Sequence, residues 1–127
     1  MDKIIALAIG GTLGTLSRYG VSLLGGKVKV GVFPLGTIAV NLMGCFLFGL
    51  VFTLLEAKFT VSHAVKLLLL TGFMGAFTTF STYMFETVTL HSQREWGILA
   101  LNFALQNIGG FLLVMAGIAL GRTVCSS

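Results

Sequence analysis

The chain has 127 residues, of which 56% are apolar and only 9% are charged, and its formal net charge is +4. Soluble globular domains carry about 25% charged residues, so this composition excludes an ordinary water-exposed surface. The sequence shows no phosphate loop, no nucleophile–base pair and no metal-ligand spacing of the His/Cys type. A small positive charge on such a chain is better matched to lipid headgroups than to nucleic acid. We therefore expect a membrane protein that is not an enzyme.

Long uncharged stretches define the elements in chain order. Stretches 30–55, 67–85 and 96–121 contain no charged residue, and stretch 4–26 is interrupted only by Arg18. A membrane-spanning helix needs roughly 20 mostly apolar residues. The sequence thus predicts an all-α integral membrane fold in one domain, 1–127, with helices near 3–25, 34–57, 63–90 and 96–121. The apolar run after Lys3 resembles a signal peptide, but no polar mature domain follows it, so we interpret it as an uncleaved first span.

The Lys and Arg residues are evenly distributed between the two sides of this topology. An even number of spans puts both termini on one side, and a Lys/Arg bias normally sets the orientation. The terminal side would hold Lys3, Lys58, Lys66 and Arg122, and the other side Arg18, Lys27, Lys29 and Arg94. This balance favours insertion in both orientations, and hence an antiparallel dimer. The alternative is that one local signal still sets a single orientation.

Small residues recur at a spacing that favours close helix packing. Gly10 and Gly14 are four residues apart in the first helix, as are Gly117 and Gly121 in the fourth. Helix association in lipid depends on such close approach. Four helices can hardly surround a polar pathway and also pack together, so a transport function would require an oligomer.

The third helix contains an unusual cluster of glycines and hydroxyls at residues 71–82. Gly and β-branched Thr both weaken a helix, and we predict an interruption over residues 72–79. Non-helical backbone is tolerated at membrane depth only inside protein or beside water. Its freed carbonyls could bind a cation, and its freed N–H groups could face an anion. The alternative is a continuous helix whose hydroxyls bond to carbonyls one turn earlier.

Several other polar side chains lie within the predicted spans. Thr37 and Asn41 share one face of the second helix, and the Asn41 amide could either donate into a pore or link two helices. Arg18 could reach the headgroups or form an electropositive vestibule. Glu86 is expected to face water near the end of the third helix.

Aromatic and amide groups follow the predicted interruption. Phe80, Tyr83 and Thr87 form one stripe, which normally serves packing. The positive edges of aromatic rings could also coordinate a small anion without a full charge. The fourth helix carries three amides that either satisfy the interrupted backbone or line a pathway: Asn102, Gln106 and Asn107.

These residues together resemble the Fluc (CrcB) family of small fluoride channels over essentially the whole chain. The resemblance rests on GGTLGTLSRY at 10–19, PLGTIAVN at 34–41 and TGFMGAFTTFST at 71–82. It implies a multi-pass protein of the bacterial inner membrane. It also implies a dual-topology homodimer with two pores that passively export fluoride.

The resemblance also implies roles for individual residues. Asn41 would point its amide into the pore, and Phe80 would present a ring edge to fluoride. The remaining lining candidates are Thr37, Ser81, Thr82 and Tyr83, and Arg18 would belong to the aqueous vestibule.

Two further features follow from the same resemblance. A structural Na⁺ on the dimer axis would be bound by the backbone carbonyls of Gly75 and Thr78. Tyr83 stands where the family usually has phenylalanine, and its hydroxyl could donate to fluoride, donate to a neighbour or narrow the path.

Two other classes of function compete with a channel. A small proton-coupled multidrug exporter can also be a four-helix, dual-topology dimer, but it is expected to need a titratable acid deep in the membrane. A membrane assembly subunit would explain the glycines but not the hydroxyl-rich segment.

Overall fold

The computed structural model describes residues 2–27, 31–57 and 61–126. Among these residues, four helices are long and apolar enough to cross a membrane, and no strand is present. The first to fourth spans are Asp2–Lys27, Leu35–Ala57, His63–Ser92 and Trp96–Ser126. This confirms the all-α membrane fold class. Lys29 and Lys58, which enter the charge count of the predicted topology, lie outside the described residues.

The first and second spans are continuous helices, α1 (Asp2–Lys27) and α2 (Leu35–Ala57). Pro34 immediately precedes α2, and its carbonyl accepts a hydrogen bond from the Ile38 N–H at 3.1 Å. Proline suits this position because a helix start leaves N–H groups without intrahelical partners, so the missing donor is not needed.

The third and fourth spans each change from one type of helix to another along their length. The third comprises α3 (His63–Lys66), a π-helical stretch (Leu67–Met74), α4 (Gly75–Phe77) and α5 (Phe80–Ser92). The fourth comprises α6 (Trp96–Ala104), a π-helical stretch (Leu105–Gly109) and α7 (Gly110–Ser126). The fourth span continues past the predicted end near residue 121. The prediction followed the uncharged stretch, which ends before Arg122, whereas the helix itself extends to Ser126.

A tight connection joins the third span to the fourth. Arg94 has a φ of 60°, in the left-handed region. Its N–H donates to the His91 carbonyl at 3.1 Å, and the Glu95 N–H donates to the Leu90 carbonyl at 3.0 Å. These bonds satisfy carbonyls that the end of α5 would otherwise leave free.

Glycines set the packing partners of the spans. A methyl group on Gly10 or Gly14 would overlap the backbone carbonyls of Leu68 and Phe73, so these glycines bring α1 against the third span. A methyl group on Gly117 would overlap the Phe46 carbonyl, so that glycine brings α7 against α2. The first span therefore packs mainly on the third, and the second on the fourth.

Candidate functional site

The third span is interrupted by two residues in extended conformation. Thr78 has φ −82° and ψ 158°, and Thr79 has φ −147° and ψ 116°. The pair separates α4 from α5 at the end of the predicted segment 72–79. The Thr79 side chain starts the new helix, because its hydroxyl oxygen accepts the Thr82 N–H at 3.3 Å. Threonine is a favoured residue for this capping role.

The Asn41 side chain from α2 pairs with the interrupted backbone. Its Oδ1 accepts the Thr79 N–H at 2.8 Å, and its Nδ2 donates to the Thr79 carbonyl at 3.0 Å. Nδ2 also donates to Gln106 Oε1 at 2.9 Å. Each N–H of this amide thus has an acceptor within the protein. Of the two roles left open for Asn41, the structure shows the link between helices.

The interruption releases the carbonyls of Gly75 and Thr78 from their helical donors. In a continuous helix, the Thr79 N–H would donate to Gly75 and the Thr82 N–H to Thr78. Here those N–H groups donate instead to Asn41 Oδ1 and to the Thr79 hydroxyl. A methyl group on Gly75 would meet no atom within 4 Å, so the backbone beside it is open.

A chain of amide hydrogen bonds extends from Asn41 into the fourth span. Gln106 Nε2 donates to Asn102 Oδ1 at 3.5 Å, and Asn102 Nδ2 donates to the Thr87 hydroxyl at 3.3 Å. Thr87 in turn donates to the Tyr83 carbonyl at 2.8 Å. Asn102 is fully buried, so its amide depends on these partners.

The aromatic stripe has one buried member and one exposed member. Tyr83 is 3% exposed, whereas Phe80 is 71% exposed. Their rings meet edge to face, with centroids 5.8 Å apart and planes at 70°. The Tyr83 hydroxyl oxygen accepts a hydrogen bond from Asn107 Nδ2 at 2.9 Å. The structure therefore shows Tyr83 bonded to a neighbour through its oxygen.

These groups surround a cavity of about 300 Å³, which we call the amide cavity. Its polar side chains are amides, hydroxyls and the Cys45 thiol, and none of the described residues that line it is Asp, Glu, Lys or Arg. The lining residues are Asn41, Gly44, Cys45, Phe48, Thr78, Thr79, Phe80, Tyr83, Gln106, Asn107 and Val114. Such a site offers neutral donors and ring edges to a ligand.

Thr37 belongs to a different cavity. Its hydroxyl donates to Glu86 Oε1 at 2.6 Å, and both residues line a space of about 450 Å³ together with Ser22 and Thr82. Glu86, which is expected to face water, is half-buried, and its Oε2 has no hydrogen-bond partner among the described residues. Thr37 and Asn41 share a helix face but contact different partners.

The predicted site residues therefore divide into groups. Asn41, Thr78, Phe80 and Tyr83 meet at the amide cavity, and Thr37 and Thr82 meet at the second cavity. Gly75, Ser81 and Arg18 line neither of these two cavities.

Three residues with amide or hydroxyl side chains at the amide cavity were not among the predicted site residues: Thr79, Gln106 and Asn107. The last two were among the amides expected either to satisfy the interrupted backbone or to line a pathway. The cluster of amides in the fourth helix was the available signal. The π-helical turn at Leu105–Gly109 changes which of these amides share a face, because that winding departs from the period of 3.6 residues on which face assignments depend.

Comparison with known proteins gives a consistent family assignment. Residues 5–118 match the model of a family described as "CrcB-like protein, Camphor Resistance (CrcB)". A protein of Maridesulfovibrio salexigens named "Fluoride-specific ion channel FluC" is 47% identical over 126 residues, which is 99% of this chain and 100% of the relative. Proteins of the same name occur in Desulforapulum autotrophicum, 44% identical over 96% of this chain and 98% of the relative, and in Chloroflexus aurantiacus, 38% identical over 96% and 97%.

Proposed function

We propose that this chain, which belongs to the CrcB family, is a fluoride-selective channel that lets fluoride leave the cell passively. The observation that carries the proposal is the amide cavity, which combines amides, hydroxyls and aromatic rings with no charged side chain. A cationic site would hold an anion too tightly for fast release, whereas neutral donors permit both binding and exit. A negative-inside potential favours anion exit by about 2.3 kcal/mol per charge per 100 mV.

The ion path in this proposal runs past the interrupted third span. Phe80 presents its ring at the open edge of the amide cavity, where it is 71% exposed. Asn41 and Tyr83 supply amide and hydroxyl groups within it. Both N–H groups of Asn41 are engaged here, so its contact with an ion requires exchange of a partner such as Gln106.

The approach to that cavity uses the remaining polar residues. Thr37 and Thr82 line the second cavity, and Ser81, which precedes Thr82 in sequence, lies exposed on α5. Arg18 forms the electropositive vestibule that concentrates anions before entry. It makes no ion pair with any described residue, so its charge is available to the solvent side.

The functional unit in this proposal is an antiparallel homodimer in a bacterial inner membrane. Ser81, Thr82 and Asn107 are exposed on the single chain at membrane depth. Polar groups in hydrocarbon need protein or water beside them, and a second copy would supply both. The even distribution of Lys and Arg supports opposite orientations of the two copies.

A Na⁺ ion on the dimer axis fits the backbone at the interruption. The carbonyls of Gly75 and Thr78 have lost their helical donors, as described above, and are uncharged oxygen ligands. Unwound carbonyls of this kind suit Na⁺ in membrane proteins. When bound, the ion would offset the negative ends of these carbonyl dipoles and hold the two copies in register.

Ion flux from liposomes that contain the pure protein tests the channel. We expect fluoride efflux without chloride efflux, and protein exchanged into Na⁺-free buffer should lose most of that flux. Equal efflux of both halides, or none, would contradict the proposal. Undiminished flux after rigorous removal of Na⁺ would argue against the ion site alone.

The second candidate function, a proton-coupled multidrug exporter, is favoured by one observation. Glu86 is a partly buried acid that lines a cavity within a span. An exporter would drive accumulation of a cationic dye in vesicles when a pH gradient is applied, and Glu86→Gln would abolish it. A channel would show no such accumulation in either protein.

A further inference from the structure

The Tyr83 hydroxyl has a defined hydrogen-bond direction. Asn107 Nδ2 donates both to the Phe103 carbonyl at 2.8 Å and to the Tyr83 hydroxyl at 2.9 Å. A carbonyl can only accept, so the atom that faces Phe103 is the amide nitrogen and not the oxygen. The same nitrogen has no lone pair to offer, and Tyr83 must therefore be the acceptor.

The phenolic proton of Tyr83 therefore takes no part in its hydrogen bond with Asn107. A phenol can donate one hydrogen bond while it accepts another. Among the described residues, no hydrogen bond donated by the Tyr83 hydroxyl is present. Tyr83 is 3% exposed and lines the amide cavity, so that cavity is the space open to its proton.

The chemistry of such a donor selects a class of ligand. No described residue that lines the amide cavity carries a cationic side chain to attract a large, polarisable anion by charge. A neutral O–H donor favours the anion that accepts hydrogen bonds most strongly, which among the halides is the smallest and hardest. Donation from Asn107 withdraws electron density from the phenol oxygen and strengthens its proton as a donor.

We propose that Tyr83 donates its phenolic O–H to a small, hard anion in the amide cavity, and that Asn107 is a positioning residue that directs this proton. The proposal deepens the proposed function and rests on it. It goes beyond a ring-edge contact, because it assigns a hydroxyl donor to the ion and a partner to that donor.

Tyr83→Phe keeps the ring and removes only the hydroxyl. We expect the fluoride concentration that gives half-maximal flux to rise about three- to tenfold, since one neutral hydrogen bond to the ion is lost. Tyr19→Phe is the matched control, because Tyr19 is 63% exposed on α1 and far in sequence from the cavity. An unchanged half-maximal concentration in Tyr83→Phe would overturn the proposal.

A double-mutant cycle separates positioning from general packing. Asn107→Leu should raise the half-maximal fluoride concentration in the Tyr83 protein and have little further effect in Tyr83→Phe. Equal effects of Asn107→Leu in both backgrounds would show that Asn107 acts independently of the hydroxyl.

A spectroscopic measurement distinguishes failure of this site from failure of the channel. In a Tyr19→Phe background, Tyr83 is the remaining tyrosine. The intensity ratio of its Raman Fermi doublet reports whether the phenol donates a hydrogen bond. We expect sodium fluoride, but not sodium chloride at equal ionic strength, to shift this ratio toward a donor. A shift without flux would contradict the channel alone, whereas flux without a shift would contradict the Tyr83 donor alone.

Discussion

Asn41 replaces backbone hydrogen bonds that the third span loses at its interruption. Its amide both accepts from and donates to Thr79, at 2.8 and 3.0 Å, and so closes a ring with that residue's backbone. Lipid offers no substitute partner for a backbone group at this depth. One side chain therefore allows the extended conformation to exist, and its contact with Gln106 ties that conformation to the fourth span.

Asn41→Leu should destabilise the protein, because it leaves the Thr79 N–H and carbonyl without partners. We expect a loss of about 2–4 kcal/mol in the free energy of unfolding, measured by denaturation in detergent micelles. Thr12→Val is the control, since among the described residues the Thr12 hydroxyl donates only to the Ala8 carbonyl of its own helix. Equal stability of the two variants would show that the Asn41 bridge contributes little.

The extended pair in the third span depends on how closely α2 approaches it. Gly44 lies one turn after Asn41 and is buried. A methyl group there would overlap Thr78 Cγ2 and contact the Phe77 ring at 3.4 Å. Because Gly44 has no side chain, α2 can pack closely against Thr78. The same helix holds Thr79 through the hydrogen bonds of Asn41.

Gly44→Ala should displace Thr78 and weaken the element. Overpacking of this kind costs about 1–3 kcal/mol, and we expect a similar loss of unfolding free energy together with reduced fluoride flux. Gly20→Ala is the matched control, because a methyl group at Gly20 would meet no atom within 4 Å. If both variants keep the stability and flux of the parent protein, close approach at Gly44 is not required.

The molecule as a whole places exposed polar groups on spans that must lie in lipid. Phe80, Ser81 and Thr82 are all exposed at the start of α5, beside the interruption. Phe80 lines the amide cavity and is largely exposed in a single copy, so a closed pathway needs a further surface. A second copy in the opposite orientation is the proposal that also accounts for the balanced charges.

Paired charge variants test this proposal. Lys3→Gln with Arg122→Gln removes positive charge from the terminal side, and Lys27→Gln with Arg94→Gln removes it from the other side. Each double variant expressed alone should insert in one orientation and lose most fluoride flux, because the dimer needs both orientations. Coexpression of the two should restore the flux. Full flux from either variant alone would contradict the antiparallel dimer.

The sequence by itself determined that the chain lies in lipid, how many spans it has and that its fold is all-α. A chain with 9% charged residues and such long uncharged stretches is stable as helices in lipid. The sequence also predicted an interruption over residues 72–79; in the structure residues 72–77 are helical, and only Thr78 and Thr79 are extended. These properties depend on local composition.

Only the tertiary structure decided which polar groups meet. Thr37 and Asn41 share one face of α2, yet Thr37 bonds to Glu86 while Asn41 bonds to Thr79 and Gln106. Periodicity specifies which residues share a face of a helix, but not which neighbour packs against that face. In the fourth span, the π-helical turn also changes which residues share a face partway along the helix. The direction of the Tyr83 hydroxyl likewise follows from Asn107, a contact between two spans that no local pattern encodes.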